Sequence, residues 1–121
     1  MNMNPTEAQE QTELFARATL LSKRHPELRL LFHIPNGGSR HPAEAARLKA
    51  QGVKPGVPDI CLPVPKKKYH GLYIELKRRS GGVVSEAQNA MLTALRRQGY
   101  KVAICFGCDD AWKTISEYLE F

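Results

Sequence analysis

Residues 72-LYIELK-77 alternate in polarity. Strand side chains alternate with a period of two, so Leu72, Ile74 and Leu76 share one face and Tyr73, Glu75 and Lys77 the other. The run 71-GLYIELKRR-79 predicts a strand, as does the apolar 101-KVAICF-106. A shorter strand is expected at 59-DICLP-63, entered from 53-VKPGVPD-59, whose Pro and Gly residues suit a loop. The segment 28-LRLLFHIP-35 is rich in strand formers and stops at Pro35-Asn36-Gly37-Gly38, predicting a further strand and a tight loop.

Elsewhere the spacing is helical. Leu14, Ala18 and Leu21 predict a helix from Pro5 or Thr6 to Lys23, with Thr6 as N-cap and glutamates near the positive end of the dipole. Pro42 and Gly52 bracket a short helix. Ser85 and Gln88 have capping-box spacing and open a helix over 86–99, and 109–121 is a final amphipathic helix. Residues 64–71 read as a turn. The order αβ(α)ββαβα predicts one α/β domain over residues 1–121, a sheet with helices packed on it.

Composition narrows the function. Eighteen Lys and Arg against twelve Asp and Glu give a net charge of +6, with clusters at 66-KKK-68, 77-KRR-79 and 96-RR-97. This balance favours a polyanionic partner, nucleic acid being the commonest. No apolar run approaches membrane-spanning length, and the polar, acidic start resembles no signal or transit peptide, so no membrane association and a cytoplasmic location are expected. Three cysteines are an odd count for a disulfide framework; Cys105 and Cys108 form a CxxC pair, which offers a redox reading as an alternative.

Asp59, Glu75 and Lys77 are the residue types that phosphodiester hydrolysis needs. Carboxylate oxygens suit Mg²⁺ or Mn²⁺, and a lysine suits the phosphate or the attacking water. Glu75 and Lys77 leave one face of a strand about 7 Å apart along the chain, and a hairpin can set Asp59 beside Glu75. Solvated charges at strand ends are the competing account of all three.

Taken together, 56-GVPD-59 and 73-YIELK-77 resemble the motif of PD-(D/E)XK nucleases, specifically the virus-type replication-repair nuclease (VRR-NUC) domain. The likeness extends to 35-PNGG-38, 52-GVKPGVPD-59, 85-SEAQ-88 and 99-GYKVA-103, and so covers most of the chain. It implies a restriction-endonuclease-like fold with a central mixed β-sheet flanked by helices. Asp59 and Glu75 would bind Mg²⁺ or Mn²⁺, with the backbone carbonyl of Leu76 as a possible further ligand, and Lys77 would position the nucleophile or stabilise the transition state. A first-helix glutamate is also implied: Glu7, on one stripe with Gln11, Leu14 and Ala18, is the first choice and Glu10 the competitor. Gln88 would line the site, while its capping role is the simpler account. His33, Asn36, Arg40 and Lys54 are candidate DNA contacts. The expected activity is a metal-dependent endonuclease acting on branched DNA such as a Holliday junction, as a homodimer. A DNA-binding module without catalysis is the alternative.

Overall fold

The computed structural model describes residues 4–35 and 41–121. Four strands form one sheet in the order β1-β2-β3-β4, comprising β1 (Phe32–His33), β2 (Ile60–Leu62), β3 (Leu72–Lys77) and β4 (Lys101–Phe106). The first three pair antiparallel, and β3 pairs parallel with β4 over six positions, so the sheet is mixed. A parallel pair needs a long crossover, which α3 (Glu86–Arg97) supplies.

The strand alternation decides the layers. Cross-strand partners share a face, so Ile60, Leu62, Leu72, Ile74, Leu76 and Cys105 point to one side. There they meet Leu14 and Ala18 of α1 (Glu7–Leu21) and Ala111, Ile115 and Leu119 of α4 (Cys108–Leu119), forming the core. The opposite face carries Tyr73, Glu75 and Lys77, and α3 packs beside it against β4. Both helix starts expected from capping residues are formed, Thr6 with Gln9 and Ser85 with Gln88 exchanging reciprocal hydrogen bonds.

One element differs from expectation. Residues 28–35 were expected to be strand, but Pro26–Leu30 forms a 3₁₀ turn and only Phe32 and His33 are strand. Pro26 occupies the first turn, where its missing N–H costs nothing, and Leu28 and Leu31, three residues apart, are buried. An apolar run with no period of two leaves its backbone conformation undetermined until packing selects it. The short helix α2 (Pro42–Ala50) forms, yet none of its nine residues is buried. Among the described residues no helix is long and apolar enough to cross a membrane.

Candidate metal centre

Asp59 stands where two tertiary constraints meet. Pro58 before it is fully buried, and the Asp59 carbonyl accepts from the Ile34 amide at 2.6 Å and from the His33 ring at 2.9 Å. A carbonyl only accepts, so Nδ1 of His33 carries the proton. The Asp59 side chain crosses to β3, where Oδ2 accepts the Leu76 amide at 2.9 Å. With backbone and carboxylate both held, Asp59 faces Glu75 in a fixed rotamer.

Glu75 and Lys77 are not solvated strand-end charges. Glu75 is 1% exposed and Lys77 8%, and Lys77 Nζ lies 3.6 Å from Glu75 Oε2. The same Oε2 accepts from Gln88 Nε2 at 3.0 Å, while Gln88 Oε1 accepts the Ser85 amide at 2.9 Å. One end of the Gln88 amide therefore caps α3 and the other orients Glu75; the two roles treated as alternatives in the sequence coexist in one side chain.

The two first-helix glutamates have different surroundings. Glu7 reaches the carboxylates: one oxygen each from Glu7, Asp59 and Glu75 lie within 4.8 Å of one another. Glu10, one turn on, is fully buried and held by Arg79 through two bonds of 2.8 and 2.7 Å and by the Cys108 amide at 3.1 Å. The bidentate Arg79 pair, chiefly, draws the Glu10 carboxyl below the usual carboxylate range. Glu10 thus ties α1 to the end of β3 and to the start of α4, and Glu7 is carried into place by that clamp.

Electrostatics show what the cluster accommodates. Burial first, and Asp59 next, push the Glu75 carboxyl up to about 8; Glu7 is raised by burial and then by Asp59, against the opposing pull of Lys77. Among the described residues Glu75 Oε1 is buried with no hydrogen-bond partner. A buried lone acceptor ordinarily costs about 1–3 kcal/mol, and a cation ligated there would remove that cost and offset the penalty of ionising Glu75 beside Asp59. Three hard oxygen donors fit Mg²⁺ or Mn²⁺ rather than a thiophilic metal. Leu76 sits between Glu75 and Lys77 with its amide committed to Asp59.

The remaining candidates lie around this centre. His33 borders a cleft of about 290 Å³ with Glu7, Gln11 and Asp59. Lys54 is exposed and borders a second cleft, of about 340 Å³, with Gly56, Ser85 and Gln88. Asn36 and Arg40 fall outside the described residues. Sequence reasoning missed the role of Arg79, hidden in a basic run that reads as surface charge, and placed Gly56 in the 56-GVPD-59 motif without assigning it a role. The Gly56 backbone sits at φ +82°, and a Cβ there would fall 2.3 Å from the Ala87 carbonyl oxygen.

The CxxC pair does not support thiol chemistry. Burial pushes both Cys105 and Cys108 up to about 11, so neither is ionised at neutral pH, and both pack in the core.

With this geometry in view, comparison with known proteins is informative. No curated protein matches the chain. A solved structure described as a VRR_NUC domain protein superposes with a TM-score of 0.82 at 29% identity, covering 98% of this chain and 92% of that one. The model of the VRR-NUC domain matches residues 8–109, and the chain accordingly belongs to the VRR-NUC family of nuclease-type, DNA-processing domains.

Proposed function

We propose that this domain is a Mg²⁺- or Mn²⁺-dependent endodeoxyribonuclease in which Glu7, Asp59 and Glu75 hold the ion. The observation that carries the reading is the convergence of these three carboxylates beside a buried lysine. The bound ion would supply Lewis-acid stabilisation of the scissile phosphate and lower the pKa of a ligated water. Gln88 and the Leu76 amide hold Glu75 and Asp59 in their ligating orientations. Lys77, held near Glu75, presents its ammonium to the attacking water or to the phosphate oxygen. The carbonyl of Leu76 is a further candidate ligand, and His33 and Lys54, at the rims of the two clefts, contact flanking phosphates. Burial of Glu75 and Lys77 argues against a purely binding role, because desolvating both is costly unless the site uses them.

The substrate in this reading is branched DNA, and a homodimer suits a four-way junction because its two-fold axis places one centre on each of two opposed strands. An intracellular location goes with this reading, since branched DNA arises during replication and recombination inside the cell. The test is cleavage of linear, flapped and four-way-junction DNA with Mg²⁺ or Mn²⁺. Wild type should cut the junction fastest, and Lys77→Ala should lose about a hundredfold to a thousandfold, as expected when one charge-stabilising donor is removed, with binding retained. Equal cleavage by the variant removes Lys77 from the mechanism. A monomeric mass in solution at micromolar concentration removes the dimer.

A further inference from the structure

Helix α2 is the least anchored element of the fold. Leu48 is half-buried and the other eight residues are exposed. Isolated helices shorter than about 12–15 residues are marginal in water, so a nine-residue helix with so little packing gains from a surface to lie on. Its chemistry selects that surface. Arg47 and Lys49 are exposed and flank Leu48 in sequence, which at 3.6 residues per turn sends them out on opposite sides of the helix, about 200° apart. Between them, away from Leu48, lie Ala43, Ala46 and Ala50, short enough not to obstruct the cations. Glu44, the one acidic residue of the helix, lies about 40° from Leu48 and so off the alanine face; that face is left with the two cations, which a second copy of this chain, itself at +6, does not complement, whereas a polyanion does.

The helix is also leashed to the metal centre. The Val53 amide bonds back to the Leu48 carbonyl at 3.0 Å, and three residues on Gly56 is pressed against Ala87 and Gln88. Gln88 holds Glu75, and the strap then runs through buried Pro58 to Asp59. Helix α2 is therefore tethered, through residues 51–58, to the strap that ends at Asp59.

We infer that α2 docks into a groove of duplex DNA beside the cleavage point, Arg47 and Lys49 reaching phosphates on the two walls. A major groove about 12 Å wide admits a helix, and an alanine face offers no hydrogen-bonding group to read bases, so the contact is independent of sequence. The inference rests on the proposed nuclease function for its biological sense, but its test does not.

The measurement is binding of a 20-base-pair duplex in EDTA, where no cleavage occurs, as a function of salt. The R47A/K49A double variant should lower the slope of log affinity against log salt by about two, near 0.9 per phosphate contact, while a K23A/R24A control with equal charge removal leaves it nearly unchanged. Hydrogen exchange in residues 45–50 should slow when duplex is added and stay unchanged when protein concentration is raised. Equal slope changes in both variants, absence of duplex binding by wild type, no protection by duplex, or protection by concentration alone, would each overturn the inference, the last in favour of a second copy. If wild type never cleaves DNA but slope and protection behave as stated, the docking stands and the nuclease reading fails.

Discussion

Replacing Glu75 with Gln should abolish cleavage and remove the stabilisation that a divalent ion confers. Lewis-acid stabilisation is worth several kcal/mol, and about 1.4 kcal/mol is tenfold in rate, so a loss of about a thousandfold or more is expected. Wild type with ion at a hundred times its Kd should gain roughly 2.7 kcal/mol, about 10 °C in Tm for a domain of this size; Glu75→Gln should gain little. The pH dependence has a definite sign. Glu75 is raised from 4.5 to about 8, so the folded state holds its proton more tightly than the unfolded state across that window. Its ionisation therefore costs the metal-free protein stability as pH rises from about 4.5 through about 8. An ion must displace the proton, so affinity should climb up to tenfold per pH unit below about 8 and level off above. A cleavage assay checks the first statement and thermal unfolding with and without Mn²⁺ across this range the other three; an undiminished shift in Glu75→Gln would remove the residue from the ligand set.

Gly56→Ala should be nearly as damaging without touching a charged group. The new Cβ would lie 2.3 Å from the Ala87 carbonyl oxygen and 2.8 Å from the Gln88 amide nitrogen, both backbone atoms that do not yield as a side chain does. Left-handed backbone adds about 1–2 kcal/mol, and with the overlap the loss should reach about 3 kcal/mol or more. Gln88 moves with its amide, so, on the proposed reading that Gln88 orients a metal ligand, the population that stays folded should also lose activity by about tenfold to a hundredfold. Gly81→Ala is the control: its φ is +81° but, among the described residues, no atom lies within 4 Å of the added carbon, so it isolates the backbone cost. Denaturant unfolding of both variants, with cleavage below their midpoints, separates strain from collision.

These two predictions also mark how far the sequence could be read. The site face of β3 was legible because LYIELK has a strict period of two, and buried neighbours on both faces then hold it in that register. Residues 28–35 were not legible in the same way: Arg29 and His33 interrupt a mostly apolar run without setting a period of two, and the burial of Leu28 and Leu31 is settled by α1 and the sheet. The choice between Glu7 and Glu10 is of another kind. Both lie on adjacent positions of one helix face, and the partner that separates them, Arg79, is 69 residues away from Glu10. The requirement at Gly56 was not legible, although the residue belongs to the 56-GVPD-59 motif, because it comes from the Ala87 backbone, and a glycine between two prolines reads equally well as an ordinary loop.

The Glu10 clamp has a consequence for the order in which the molecule assembles. Its bonds join residues 69 and 98 positions apart, so α1 can be fastened only after β3 and the start of α4 are in place. Closing such long loops carries an entropic cost that local structure does not repay, which makes non-local docking the slow part of folding. Glu7 rides on that helix, and the full set of carboxylates exists only once docking is complete. On the proposed reading a divalent ion would therefore find no complete cage in the partly folded chain: it should do little for the rate of folding and act instead as a latch, slowing the escape of α1 from the finished protein.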